Sequence, residues 1–198
     1  SQPGVVSAFK DTLLVGQGQR LAGIDPLRGS VRWEVAIANP RGTNEVERVA
    51  DLVGPAARAG DVVCARAFQS AVGCANAQTG TLLWTKNTGG AQAVGADAEL
   101  VASADGSGRI TAWRANNGDL AWTAEQLLHR DLSGLLVVGR TVIVGDFEGQ
   151  VHFLDRTNGK TLLRLPTDGS PVTGAPVVLG NTVLVTTKRG GLFAFRPE

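Results

Sequence analysis

A glycine followed four residues later by tryptophan recurs along the chain, and this internal repeat limits the possible folds more than any other feature. The pattern occurs as Gly29 and Trp33, Gly80 and Trp84, and Gly118 and Trp122. A fourth copy begins at Gly159 and has Leu163 in the place of the tryptophan. The glycines are about 40 to 50 residues apart, and a repeat of this length predicts an array of similar structural units.

Each repeat predicts four short antiparallel strands. In the fourth copy, Thr141–Gly145 is apolar and β-branched, residues 146–149 are turn formers, and Gln150–Asp155 alternates between apolar and polar side chains. A shorter apolar run such as Leu135–Val138 comes before this pair, and the strand that starts at the repeat glycine follows it. Helical spacing is nearly absent, since only residues 125–130 could form a turn. The sequence therefore predicts an all-β fold, a β-propeller of four-stranded antiparallel blades.

The repeat boundaries predict one domain that is an incomplete ring. We expect blades at approximately residues 1–38, 52–88, 91–125, 131–166 and 171–198, with the fifth lacking its last strand. The result would be an open arc of about four and a half to five blades. Its two uncovered blade faces predict a fragment able to self-associate or aggregate.

The repeat tryptophans are predicted to lie between blades. A single four-stranded sheet leaves both faces exposed, and stacking such sheets radially buries those faces against each other. We expect Trp33, Trp84, Trp122 and Leu163 to be equivalent wedges that fill the gap between neighbouring blades. Each indole N–H is then free to donate to a carbonyl group.

The composition excludes some classes of protein. The chain has 19 Lys and Arg residues against 18 Asp and Glu residues, a formal net charge of +1. This balance argues against nucleic-acid binding, which usually requires a basic face. No apolar run reaches the roughly 18 residues that a membrane-spanning helix needs. Because the chain contains no methionine, we expect it to be a fragment with a cut or engineered start.

The spacing between the first two repeats is about ten residues longer than the others, and the excess maps to residues 39–51, here named the inserted segment. It carries Glu45, Glu47, Arg48 and Asp51. Functional residues are commonly found on irregular segments that a rigid repeat holds in place. A tolerated surface loop is the alternative, because a longer loop adds little closure entropy. The spacing alone favours the surface loop.

The units resemble PQQ-type propeller repeats, and the whole chain is similar to the C-terminal part of the BamB family of propeller lipoproteins. Four stretches carry the resemblance most specifically: Glu-Val-Glu-Arg-Val-Ala-Asp at 45–51, Leu-Leu-His-Arg at 127–130, Val-Gly-Asp-Phe-Glu-Gly at 144–149, and the ending at 190–195. The resemblance implies an eight-bladed propeller on the periplasmic side of the outer membrane. An N-terminal lipid, absent from this chain, would be its only membrane contact.

The family resemblance also implies a role as a non-catalytic scaffold. Such a protein binds the periplasmic domains of the barrel-forming subunit of the outer-membrane assembly machinery and assists insertion of β-barrel proteins. The family's partner-contacting arginine and acid fall here on Arg48 and Asp51, with Glu45 and Glu47 beside them. A second family acid is replaced by Val53. With the resemblance, the functional interpretation of the inserted segment becomes the favoured one.

Two other functions are alternatives: a periplasmic quinone-dependent dehydrogenase, and a generic peptide- or carbohydrate-binding propeller. Such dehydrogenases need a calcium site of clustered oxygen ligands, a catalytic Asp and commonly an adjacent cysteine pair. Here Cys64 and Cys74 are not adjacent, and no compact set of acidic residues accompanies them. We therefore predict no catalytic residue, no cofactor and no metal.

The histidines and cysteines receive structural interpretations. His152 lies on an alternating strand and is predicted to be partly exposed, whereas His129 is predicted to order a connection between blades. Cys64 and Cys74 are near neighbours across a predicted hairpin, so an oxidising periplasm would allow a disulfide. Two buried free thiols are the alternative, because such thiols are common and cross-strand disulfides are often strained.

Overall fold

Antiparallel β-strands are the regular elements of the protein. The computed structural model describes residues 4–38 and 51–196. The strands of the first two sheets are β1 (Val6–Phe9), β2 (Thr12–Gln17), β3 (Arg20–Ile24), β4 (Val31–Ala36), then β5 (Leu52–Ala59), β6 (Val62–Ala67), β7 (Ala71–Asn76) and β8 (Leu82–Asn87). The third and fourth sheets contain β9 (Gly95–Ala96), β10 (Leu100–Ala104), β11 (Ile110–Arg114), β12 (Leu120–Ala124), then β13 (Leu135–Val138), β14 (Thr141–Gly145), β15 (Gln150–Asp155) and β16 (Thr161–Pro166). The fifth sheet contains β17 (Val172–Leu179), β18 (Thr182–Thr187) and β19 (Leu192–Phe195).

Each sheet is one blade in which consecutive strands are neighbours. Four sheets have four strands in the order first, second, third, fourth, and the fifth sheet has the order β17-β18-β19. This arrangement confirms the predicted all-β fold of antiparallel four-stranded units with an incomplete last blade. We number the blades one to five in chain order.

The blades fan around a common axis. The first strand of each blade contacts the first strand of the next: β1 contacts β5, β5 contacts β9, β9 contacts β13, and β13 contacts β17. The first strands are therefore innermost and the fourth strands are outermost. Buried apolar side chains between neighbouring blades form the core, as where Leu135 and Val144 of blade four pack with Ala102 and Ile110 of blade three.

Two of the repeat tryptophans join their own blade to the next one. Trp84 and Trp122 are buried, each with 7% of its surface exposed. The Nε1–H of Trp84 donates to the Ala115 carbonyl of blade three over 2.7 Å, and that of Trp122 donates to the Arg156 carbonyl of blade four over 2.7 Å. Each indole thus adds a large apolar contact and a satisfied hydrogen bond to the junction between blades.

The repeat glycines of the following blades receive these indole rings. Gly80, Gly118 and Gly159 have φ of 72°, 74° and 73°, in the left-handed region that glycine adopts most easily. A Cβ atom would lie 2.6 Å from the Trp33 ring at Gly80, 2.8 Å from the Trp84 ring at Gly118, and 2.5 Å from the Trp122 ring at Gly159. The glycine therefore serves both the turn and the close approach of the ring.

Trp33 differs from the other two tryptophans. Its ring packs against Gly80 of blade two and also against Gly23, the residue opposite it on β3. Cys74 and Ala112 occupy that opposite position for Trp84 and Trp122. Because Gly23 has no side chain, the Trp33 ring packs directly against β3 of its own blade. The buried Nε1–H of Trp33 has no hydrogen-bond partner among the described residues.

Leu163 is not an equivalent wedge, and this part of the prediction is wrong. It lies at the expected place on β16, opposite Phe153, but 48% of its surface is exposed. Among the described residues, blade five supplies no fourth strand and hence no glycine turn to cover it. Leu163 instead lines an apolar groove with Leu165, Val178 and Phe195.

Cys64 and Cys74 form a disulfide in the structure. The sequence left open a disulfide or two buried free thiols, and the structure has the disulfide. The two residues are directly opposite each other on β6 and β7. Both are buried in a cluster with Trp84 and Trp113, whose ring centroids are 6.1 Å apart. The disulfide therefore ties together the middle of blade two where it faces blade three.

The contrast between Trp122 and Leu163 predicts different losses of stability at the same repeat position. Trp122→Ala should lower the free energy of unfolding by about 3–5 kcal/mol, because it leaves a cavity between two blades. Leu163→Ala should lower it by less than about 1 kcal/mol, since that side chain is half exposed. Urea unfolding followed by circular dichroism measures both values, and equal losses would contradict the different burial of the two positions.

Candidate functional site

The blades of the propeller are joined to one another at one end, which we call the connection end. In an antiparallel meander the fourth strand runs parallel to the second, so the connection to the next blade leaves from the end where the second and third strands turn. The connection end therefore combines the turns at 18–19, 68–70, 105–109, 146–149 and 188–191 with the connections between blades.

Asp51 lies at the connection end with its side chain exposed. Its carbonyl accepts a hydrogen bond from the Phe68 N–H over 2.9 Å, and the next N–H, of Leu52, donates to the Gly18 carbonyl over 2.7 Å. Leu52 and Val53 are buried. The backbone at the root of the inserted segment is thus fixed between blades one and two, and it presents a carboxylate to solvent.

The other predicted contact residues have different outcomes. Glu45, Glu47 and Arg48 lie outside the described residues. Val53, where the family resemblance expects a second acid, lies on β5 opposite Arg66 and is buried. This position therefore adds no side chain to the exposed surface around Asp51.

Arg66 is a fully buried cation that the sequence analysis did not identify. Its Nε donates to the Gln92 carbonyl over 2.9 Å, and its Nη1 donates to the Gly89 carbonyl over 2.6 Å. Its Nη2 donates to the Ala104 carbonyl over 2.9 Å and to the Ser103 hydroxyl. Burial lowers the pKa of Arg66 to about 10, so the guanidinium stays protonated at neutral pH and joins blade two to blade three.

Asp146 is the centre of a second polar cluster at the connection end. It is fully buried, and its Oδ2 accepts hydrogen bonds from Arg130 Nε over 2.6 Å and from His152 Nε2 over 2.8 Å. Its Oδ1 accepts from the N–H groups of Glu148 and Gln150 over 2.9 and 3.0 Å. Burial opposes ionisation of Asp146, but the hydrogen bonds from His152, Gln150 and Arg130 outweigh it and hold the pKa of Asp146 below its usual value.

The prediction that His152 is partly exposed is wrong. Only 3% of its surface is exposed, because Asp146 in the preceding turn supplies a buried partner for its ring nitrogen. His129 has a φ of 61° and donates its backbone N–H to the Ser107 carbonyl over 2.8 Å. It thereby joins the connection between blades three and four to the turn of blade three.

Residues 4–38 and 51–196 contain no group of three or more His, Cys, Asp and Glu side chains that could hold a metal ion. In the same part of the chain, no helix is long and apolar enough to cross a membrane. Small apolar residues such as Pro55, Val94, Gly95 and Ala175 line a groove along the innermost strands.

Replacing Asp146 tests how much its polar cluster contributes to the free energy of unfolding. Asp146→Asn should lower the free energy of unfolding by about 3 kcal/mol at pH 7, because the Arg130 guanidinium and the buried His152 ring lose the carboxylate that binds them. The lowered pKa means that ionised Asp146 stabilises the fold above the pKa of the unfolded chain, about 3.9. This contribution is lost as pH falls from about 5 through the lowered native value.

The stability difference between the unaltered protein and Asp146→Asn should therefore narrow between pH 5 and pH 2. Urea unfolding across this range measures it, with Asp61→Asn as an exposed control expected to have little effect. A difference that stays constant with pH would contradict a stabilising buried carboxylate.

Comparison with known proteins identifies the family. The model of the family described as outer membrane protein assembly factor BamB matches residues 1–124 and 125–198. The protein of that name from Burkholderia pseudomallei is 35% identical over 196 residues, which cover 98% of this chain and 51% of the relative. Its counterpart from Bordetella pertussis is 34% identical over 180 residues, which cover 90% of this chain and 47% of the relative. The chain thus spans about half the length of these relatives.

Solved structures have the same fold. BamB from Moraxella catarrhalis superposes with a TM-score of 0.86 at 20% identity, covering 98% of this chain and 58% of that one. The computationally designed Ika8 protein superposes with a TM-score of 0.58 at 16% identity, covering 97% of this chain and 70% of that one. The family match over the whole length confirms the resemblance found in the sequence, and the chain belongs to the BamB family of outer membrane protein assembly factors.

Proposed function

We propose that this chain is part of a non-catalytic scaffold for the assembly of β-barrel proteins in the outer membrane. In this proposal it binds the periplasmic domains of the barrel-forming subunit, and a lipid outside this chain holds the protein at the periplasmic side of the membrane. Membership of the BamB family over the whole chain is the observation that carries the proposal. The structure adds an exposed acid at the place where the family resemblance expects a partner contact.

The surroundings of Asp51 suit a contact that orients a partner. Its backbone is fixed by hydrogen bonds to Phe68 and through Leu52 to Gly18, so little conformational entropy is lost when the carboxylate meets a cation. An exposed ion pair contributes only about 0–1 kcal/mol. Charges at the edge of an interface mainly steer association and fix its register. We propose that Arg48, Glu45 and Glu47 extend the same contact.

The alternatives receive less support. A quinone-dependent dehydrogenase would need clustered oxygen ligands, and the described residues contain no group of acids able to hold its calcium ion. A generic peptide- or carbohydrate-binding propeller would be favoured by a row of exposed aromatic residues, whereas Trp84 and Trp122 lie buried between blades. Self-association through open blade faces stays a prediction. Leu162 and Leu163 of blade four and Leu192 of blade five are among the exposed apolar side chains.

Reversing the charge of Asp51 tests the proposed contact. In the full-length protein without its lipid, Asp51→Arg should weaken binding to the purified periplasmic domains about fivefold, because attraction becomes repulsion. Isothermal titration calorimetry measures the affinity, and urea unfolding should be unchanged because the side chain is exposed.

Asp61→Arg is the matched control, because Asp61 is also exposed but lies in the turn between β5 and β6 at the opposite end. It should bind like the unaltered protein. An affinity that Asp51→Arg leaves unchanged would remove this residue from the contact surface.

A further inference from the structure

One backbone hydrogen bond is repeated at three junctions between blades. In each, a carbonyl of the connection accepts a bond from an N–H in the turn between the second and third strands of the following blade; Asp51 and Pro171 directly precede the first strand of that blade, and Arg130 lies five residues before it. The pairs are Asp51 with Phe68 at 2.9 Å, Arg130 with Phe147 at 3.1 Å, and Pro171 with Lys188 at 2.8 Å. Arg130 and Phe147 of blade four are therefore the counterparts of Asp51 and Phe68 of blade two.

Phe147 is exposed at the connection end. Of its surface, 41% is accessible, and among the described residues it is the one aromatic side chain in the set of exposed large apolar residues. Phe68, its counterpart beside Asp51, is half-buried. Aromatic residues are enriched at protein–protein interfaces relative to the rest of the protein surface.

The turn that carries Phe147 is held rigidly. Asp146 accepts bonds from the N–H groups of Glu148 and Gln150 within the turn, and it accepts the Arg130 guanidinium from the preceding connection. The Arg130 guanidinium carbon lies 6.0 Å from the centroid of the Phe147 ring. A partner would therefore meet a pre-organised arginine and aromatic pair, with little entropy left to lose.

The backbone beside Arg130 is unusual as well. His129 and Asp131, on either side of it, have φ of 61° and 45°, in the left-handed region that few residues other than glycine adopt. Such positions persist where surrounding contacts fix them, and they cluster at functional sites. Here they direct the chain so that Arg130 reaches Asp146 while its carbonyl binds Phe147.

We propose that Phe147 and Arg130 form a second contact for the same partner that binds Asp51, which makes the inference dependent on the proposed function. Asp51 and Arg130 both lie at the connection end, and each accepts the same type of backbone hydrogen bond from the turn of its blade. Next to Arg130 and Phe147 in the chain, Asp131 and Glu148 are exposed acids, as is Asp51 at the earlier junction. Charge complementarity therefore points to a folded protein surface with an apolar pocket for Phe147 and basic side chains around that pocket.

Truncating Phe147 tests this contact. In the full-length protein without its lipid, Phe147→Ser should weaken binding to the periplasmic domains of the barrel-forming subunit about tenfold, as expected of an aromatic anchor in a pocket. Phe147→Leu keeps part of the apolar side chain and should lose less affinity. Leu27→Ser is the matched control, because Leu27 is 95% exposed in the turn between β3 and β4 at the opposite end.

The outcomes separate the inference from the proposed function. If Phe147→Ser binds like the unaltered protein while Asp51→Arg binds more weakly, the second contact is wrong and the scaffold function stands. If the unaltered protein does not bind these domains, both fall. Loss of affinity in Phe147→Ser, with Leu27→Ser unchanged and both variants unfolding at the same urea concentration as the parent, supports the contact.

Discussion

The contact between an indole ring and the glycine turn of the next blade is the interaction on which the remaining structure depends. A four-stranded sheet alone cannot bury both of its faces, so each blade is stable only against its neighbours. Trp84 and Trp122 extend from the outermost strand of one blade to the turn of the next, where the glycine leaves room for the ring and a nearby carbonyl accepts the N–H. Neighbouring sheets are thereby held at their outer edges as well as near the axis.

Polar side chains complete three of the junctions at the connection end, and the groups differ from one junction to the next. Arg66 of blade two donates hydrogen bonds to carbonyl groups at the junction with blade three. Asp146 of blade four accepts hydrogen bonds from His152 and from Arg130 of the connection between blades three and four. Between blades four and five, Asp168 accepts bonds from the Ser170 and Thr187 hydroxyls, which hold its pKa at about 2. These anchors fix the surface from which Asp51 and Phe147 project.

Local patterns in the sequence predicted much of this architecture. The bounds predicted for β13, β14 and β15 agree with the structure, because alternation and turn residues act within a hairpin. The glycine and tryptophan spacing likewise placed Trp84 and Trp122 at junctions. By contrast, Leu163 has the right position in its own strand but lacks the neighbouring turn that would bury it. Its environment depends on another blade.

The sequence did not predict the buried polar residues, because their partners come from other strands, turns or blades. The alternation along its strand predicts that His152 is partly exposed. The Asp146 carboxylate in the preceding turn instead binds the ring and makes its burial favourable. Arg66 interrupts an apolar strand, which was an available signal, but its acceptors come from a connection and a strand of the next blade. For the candidate site, the family resemblance indicated Asp51, whereas the equivalence of Phe147 to Phe68 emerged only from the repeated backbone hydrogen bond.

A comparison of Gly159→Ala with Gly139→Ala tests the indole contact most directly. Both glycines have positive φ, 73° and 55°, so both variants share the cost of a left-handed alanine. A Cβ atom would meet the Trp122 ring at 2.5 Å at Gly159 and nothing within 4 Å at Gly139. We predict that urea unfolding shows an additional loss of about 1–3 kcal/mol in the free energy of unfolding for Gly159→Ala. Equal losses for the two variants would contradict it.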